Sequence, residues 1–131
     1  MNIGEAASES GLPAKTIRYY EEIGLVRPRS GANGYRAFGE REVTRLGFLA
    51  RARGLGFTIE ECRALLALQE DGARASADVR RVAVAHLADV DRRIADLAAL
   101  RASLAALVER CSGDERPDCA ILDALAGGEA A

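Results

Sequence analysis

From Ser76 to about Arg110 the 131-residue chain contains neither glycine nor proline. A continuous helix over that run would span roughly 50 Å at ~1.5 Å per residue. Its apolar seam reads Ala83, Leu87, Val90, Ile94, Leu97, Leu100, Leu104, Leu107 and Cys111. The steps of four and three make a near-heptad, with one irregularity at Leu97. A helix this long cannot bury one apolar stripe within itself. An intrachain helical hairpin is the other solution, but the tail after Cys111 is too short to cover the seam. The expected cover is the same helix of a second subunit, so the chain is expected to be a homodimer.

The composition agrees with a mainly α fold. Hydrophobic residues make up 49% of the chain, and there is no Trp, with only 3 Phe and 3 Tyr. The core is therefore aliphatic, and the Ala- and Leu-rich second half favours helix over sheet. No apolar run approaches the ~18 residues of a membrane helix. The start, Met1-Asn2-Ile3-Gly4-Glu5, lacks the basic and apolar regions of a signal peptide. A cytosolic setting with reduced thiols is expected. The net charge of −2 hides an asymmetry: residues 1–58 balance to +3 and residues 59–131 to −5. Only the first part is suited to facing phosphates. No nucleophile, base and orienting acid converge in the sequence, so an enzyme is not expected.

Asn2 and Glu5 form a capping-box pattern that opens a helix to about Ser10. Gly11 can end it in the left-handed conformation, and Pro13 suits the first turn of a second helix, Ala14 to Ile23. Two short helices joined by a glycine turn make a helix-turn-helix pattern. In the second helix Ile17 and one of Tyr19 and Tyr20 can pack inward. Lys15, Thr16, Arg18 and the other tyrosine can face outward, as on a phosphate-lined groove or as an ordinary solvated face. Asn33-Gly34 then signals a hairpin carrying Tyr35 and Arg36, a wing beside the helix pair or a plain surface hairpin. A third helix is expected from Glu40 to Arg53, with Val43, Leu46, Leu49 and Ala50 as its apolar stripe. Thr58 with Glu61 opens a fourth, to about Leu68, and Glu70–Arg74 reads as a linker.

Of three cysteines, Cys62 lies among Ile59, Leu65 and Leu66 and reads as a small buried hydrophobe. Cys111 and Cys119 bracket a polar Gly/Pro loop after the long helix. Asp118 can cap a short helix to Leu125, placing Cys119 in its first turn, where the helix dipole favours thiolate. Two thiolates without a neighbouring histidine suit a soft ion of low coordination number rather than structural zinc, which takes four ligands. The sole histidine, His86, lies 25 residues before Cys111. Asp114, Glu115 and Asp118 are hard ligands and read as loop solvation. Metal binding, a regulatory disulfide and a pair of inert thiols all remain open on spacing alone.

Thr16-Ile17-Arg18-Tyr19-Tyr20-Glu21, Gly24-Leu25-Val26 and Asn33-Gly34-Tyr35-Arg36 together resemble the N-terminal signature of the MerR-family transcription regulators, over roughly the first 70 residues. The tail is similar to the CueR-type copper-efflux branch of that family, through Ser76-Ala77-Asp78-Val79-Arg80, Cys111-Ser112-Gly113-Asp114 and Asp118-Cys119-Ala120-Ile121-Leu122. The resemblance implies a winged helix-turn-helix domain over 1–70, a linker and antiparallel coiled-coil dimerisation helix over 71–110, and a metal-binding loop, short helix and tail over 111–131. It implies that Cys111 and Cys119 bind one Cu(I), Ag(I) or Au(I) per subunit, linearly. Ser76, where divalent sensors carry a cysteine, would select monovalent ions, and Arg80, one turn on, would offset the −1 charge of a dithiolate holding a +1 ion.

The resemblance also implies DNA contacts by Lys15, Arg18, Tyr19, Tyr20, Tyr35 and Arg36, with Thr16 on the same face. The partners would be double-stranded promoter DNA within an overlong spacer and RNA polymerase. Metal binding would activate copper-tolerance genes by distorting that DNA. Two departures stand out: the wing is shortened before Gly31, and the tail after Leu125 lacks further Cys or His, so no second metal site is expected. A thiol-redox regulator using a Cys111–Cys119 disulfide is the alternative. A drug-responsive member of the family is disfavoured, because only 20 residues follow Cys111.

Overall fold

The computed structural model describes residues 1–30 and 36–127, with the backbone alone at Ser30 and Arg36. Its order is α1 (Ile3–Ser10), α2 (Ala14–Glu22), β1 (Arg29–Ser30), β2 (Arg36–Ala37), α3 (Glu40–Gly54), α4 (Ile59–Glu70), α5 (Ser76–Arg110) and α6 (Ala120–Leu125). The chain divides into two compact units, Met1–Val84 and Ala85–Ala131.

Local chemistry sets the element ends of the first unit. Asn2 caps α1 by accepting from the Glu5 N–H at 2.8 Å, while Glu5 accepts from the Asn2 N–H. Gly11, at φ 76°, ends the helix in the left-handed region that side chains avoid. Pro13 is the N-cap of α2, one position earlier than its expected place in the first turn, and α2 ends at Glu22 rather than Ile23. Gly39 precedes α3 with its N–H given to the Glu42 carboxylate. Thr58 and Glu61 close a reciprocal capping box on α4.

α1 packs on α2 and α3, and α3 packs on α4. Phe38, Ile17, Leu25, Leu46, Leu49, Val26 and Cys62 are fully buried between them. In α3 the expected stripe is shifted: Leu46, Leu49 and Ala52 are buried, while Val43 and Ala50 are half-buried. β1 and β2 pair antiparallel, with Arg29 opposite Ala37 and Ser30 opposite Arg36. The expected turn at Asn33-Gly34 lies outside the described residues. Next to β2 the chain start is bolted down: the Met1 ammonium donates to the Phe38 carbonyl at 2.9 Å and the Phe38 N–H donates to the Met1 carbonyl at 2.7 Å.

α5 is one unbroken helix of 35 residues. It starts at Ser76 itself, so Ser76 lies in the first turn and is not the N-cap. Leu87, Ile94, Leu97, Leu100 and Leu104 along its seam are 59–63% exposed. Val84 and Val108 join them on the surface, whereas Val90 and Leu107 are half-buried. Among the described residues no helix is long and apolar enough to cross a membrane.

Replacing Leu46 with Ala opens a cavity in a sealed core and is expected to cost about 3 kcal/mol. Leu55→Ala, at a site 71% exposed, is expected to stay within about 0.5 kcal/mol. Urea unfolding at matched protein concentration reads both; equal losses would contradict this core.

Candidate metal centre and DNA-facing surface

The second unit carries its chemistry where α5 stops. The Cys111 N–H donates to the Leu107 and Val108 carbonyls, so Cys111 continues the last helical turn. Gly113, at φ 67°, then reverses the chain in a conformation that favours glycine. Asp114 is engaged by Arg116, which donates to it through its backbone N–H and its Nε, each at 2.9 Å. These bonds from Arg116 hold the Asp114 carboxyl below its usual range. A carboxylate so occupied belongs to the loop's own scaffold, as its hard oxygen chemistry suggests.

Against the expectation that Asp118 caps α6, Cys119 itself is the N-cap, in extended conformation. Its sulfur stands 3.7 Å from that of Cys111. The thiol of Cys119 is held below its ordinary value, first by the Leu122 N–H and then by the Cys111 thiol, with burial opposing. No side-chain hydrogen bond of full geometry caps the helix, so the Leu122 effect is that of a nearby aligned dipole. Both cysteines are half-buried, as are Ala120, Ile121 and Ala124, while Leu122 and Leu125 are exposed.

The donor set can be tested against a metal on these distances. A separation of 3.7 Å exceeds the ~2.05 Å of a disulfide. It falls short of two metal–sulfur bonds in line, about 4.6 Å if the ~2.3 Å zinc–sulfur length is taken as a guide. A small displacement of either side chain brings both sulfurs onto one ion. Among the described residues no group of three or more His, Cys, Asp or Glu gathers to hold a metal. His86 is buried within α5, 25 positions before Cys111. The site is a two-sulfur site, and two soft ligands fit a soft ion of low coordination number. Ser76 and Arg80 both lie exposed in the first turns of α5. Cys62 is fully buried, and burial pushes its thiol up.

In the first unit, Lys15, Arg18 and Tyr19 are exposed on α2 and Thr16 is half-buried. Tyr20 corrects the expectation. It is only 3% exposed; burial raises its phenol, and Arg53 hydrogen-bonds to it. Its ring is part of the core, so Tyr19 is the tyrosine of the outward face. Tyr35 and the Arg36 side chain lie outside the described residues. Two arginines that sequence reasoning passed over position α2. Arg53 donates to the Phe57 carbonyl as well as meeting Tyr20, and Arg63 donates to the Ile23 carbonyl at 3.0 Å, tying α4 to the end of α2. Nothing in their spacing marks them, because the tie spans 40 positions.

The opposite displacements of Cys119 and Cys62 predict an order of reactivity. Iodoacetamide at neutral pH and limiting time should label Cys119 well before Cys62, and lowering the pH should spare Cys119 least, since its thiolate persists to lower pH. Peptide mass spectrometry reads the order. Labelling of Cys62 at a comparable rate would contradict it.

Comparison with known proteins places this arrangement in context. The family model described as "MerR HTH family regulatory protein" matches residues 1–69 and that described as "MerR, DNA binding" matches residues 43–107. The HTH-type transcriptional regulator HmrR of Rhizobium leguminosarum bv. viciae is 59% identical over 128 residues, covering 98% of this chain and 99% of that protein. The HTH-type transcriptional regulator CueR of Yersinia pestis is 45% identical, covering 97% and 92%. Among solved structures, the transcription regulator PbrR691 of Ralstonia metallidurans CH34, in complex with lead(II), aligns with a TM-score of 0.80 at 31% identity, covering 95% and 98%.

Proposed function

This chain belongs to the MerR family of DNA-binding transcription regulators, and we propose that it is a copper-type sensor that binds promoter DNA as a homodimer and activates efflux genes on capturing Cu(I), Ag(I) or Au(I), one ion per subunit. The observation that carries the proposal is the 3.7 Å approach of Cys111 and Cys119 in a loop with no third soft ligand. The 45% identity to CueR of Yersinia pestis supports the copper assignment. The lead(II)-bound Ralstonia regulator supports a metal effector more generally.

Residues 1–70 would read DNA, 71–110 would pair the subunits, and 111–131 would sense the ion, in the cytosol. The exposed seam of α5 would pack antiparallel on its copy, contributing on the order of 1 kcal/mol for each large side chain covered. Lys15, Arg18 and Tyr19, with Thr16, would face the groove, and Tyr35 and Arg36 would act from the wing. Tyr20 would brace that surface from the core.

Cys111 and Cys119 would hold the ion, which would supply positive charge to offset that of their sulfurs. Cys111 carries one sulfur on the last turn of α5 and Cys119 the other at the start of α6, so holding the pair together would fix loop 112–118 against the helix end. Ser76 and Arg80, at the start of the partner subunit's copy of α5, would face that loop, Ser76 withholding a third sulfur and Arg80 offsetting the residual negative charge. The two heads would then shift, distorting the promoter for RNA polymerase. Moving such an equilibrium from 1:99 to 99:1 requires about a 10⁴-fold difference in metal affinity between the two states. The same sulfur approach favours one second reading, a thiol switch that forms a Cys111–Cys119 disulfide.

Anaerobic titration separates the two readings, since a metal sensor responds without oxidant. In that experiment Cys111→Ser and Cys119→Ser are each expected to abolish the copper response of operator transcription while leaving operator binding intact; a wild-type response would reject the site. Arg18→Ala is expected to weaken operator binding by about 1–3 kcal/mol at matched salt, and unchanged affinity would reject the α2 surface. Ser76→Cys is expected to admit divalent ions, and an unaltered metal profile would remove the selectivity role.

A further inference from the structure

Two helices of the first unit end without a cation of their own. α2 has no basic residue in its last turn and closes on Glu21 and Glu22, charges that the negative end of a helix dipole disfavours. α4 likewise has no basic residue in its last turn and closes on Glu70. The last carbonyls of a helix lack partners within it, and at both ends an arginine from another segment supplies one. Arg63, from the first half of α4, donates to the carbonyl of Ile23, the C-cap of α2, at 3.0 Å. Arg74, between α4 and α5, donates to the carbonyl of Asp71, the C-cap of α4, at 3.1 Å and to that of Gln69 at 3.4 Å. Around it the Ala73 N–H donates to the Asp71 carboxylate at 2.9 Å and the Arg74 N–H to the Asp71 carbonyl. The Ala75 carbonyl then accepts from the Asp78 N–H in the first turn of α5. Residues 71–75 thus form a hydrogen-bonded corner. Glu70 ties the same end of α4 to α3 through Arg45, at 2.7 Å. The compact first unit runs past this corner to Val84 and so includes the opening turns of α5.

We propose that Arg63 and Arg74 are positioning residues that carry the effector signal from α5 to α2. The inference rests on the metal-sensor reading above and names the route by which its signal reaches the DNA-facing helix. α5 is continuous from Ser76 to Arg110, so a displacement that begins at its tip reaches its first turn. There Arg74 fixes the direction of α4 against that of α5, holding the carbonyls at the end of α4 from a corner five residues long. Arg63 hands the displacement on to α2 through a bond that spans 40 positions. Both links end on backbone carbonyls at a helix terminus, so they move a whole helix and not a side chain alone. Both arginines are exposed, where substitution perturbs folding little. Without them the head folds and α5 still shifts, but α2 no longer follows.

The test is anaerobic transcription from the operator promoter by RNA polymerase and the full-length dimer, at operator-saturating protein, with and without Cu(I). A coupling free energy of ordinary size corresponds to a factor of about 5–150. Arg63→Met/Arg74→Met keeps the side-chain stems and removes the donors. It is expected to lower the Cu(I)-dependent activation ratio by about fivefold or more. Cu(I) affinity against a competing chelator and the midpoint of urea unfolding are expected to stay at their wild-type values. Arg63→Lys/Arg74→Lys returns a cation to each helix end and is expected to restore most of the ratio. An undiminished ratio in the methionine variant would overturn the proposal. So would a lysine variant no better than the methionine one, or a loss matched by a lower urea midpoint or weaker Cu(I) binding, which would make the arginines merely structural. A flat response already in the wild-type dimer would reject the sensor reading and this inference with it. A responsive wild type beside an equally responsive methionine variant rejects the inference alone.

Discussion

Everything downstream of residue 75 is governed by a helix that cannot satisfy itself. Thirty-five residues without an internal break carry a row of leucine and isoleucine side chains that are about three-fifths exposed. Leaving such a stripe in water forgoes the largest favourable term available to a helix of this length. The same helix sets the position of the sulfur chemistry, because Cys111 is held in its last turn by the Leu107 and Val108 carbonyls. On the proposed reading, a helix that pairs along its flank and carries a thiol at its last turn would couple a small event there to the geometry of the pair. In that way a single ion would move two heads.

The site itself is built by electrostatics on a small scale. The start of α6 holds the Cys119 thiol below its ordinary value, with the Leu122 N–H as the strongest influence and the Cys111 thiol next. Asp114, three residues after Cys111, is paired with Arg116. On the proposed reading, Cys111 and Cys119 would select an ion by the softness of sulfur rather than by a shaped cage.

Much of this was readable in the residues. Asn2 with Glu5 and Thr58 with Glu61 are local patterns, and both capping boxes form as expected. The absence of Gly and Pro between Ser76 and Arg110 marked α5 to its final residue. What failed depended on distant packing or on competition at one position. Tyr19 and Tyr20 are adjacent and chemically alike, and only the packing of α2 in the head, with Arg53 from the end of α3, decides that Tyr20 goes inward. Asp118 is the better capping residue by preference, yet Cys119 takes the N-cap where its sulfur meets Cys111. The ties made by Arg53 and Arg63 left no periodic trace.

The most direct measurement of the central claim is X-ray absorption spectroscopy of the dimer loaded anaerobically with one equivalent of Cu(I) per subunit. The account predicts a first shell of two sulfur scatterers, lost on substitution of either Cys111 or Cys119. A shell containing nitrogen or oxygen donors, or three or more sulfurs, would contradict it.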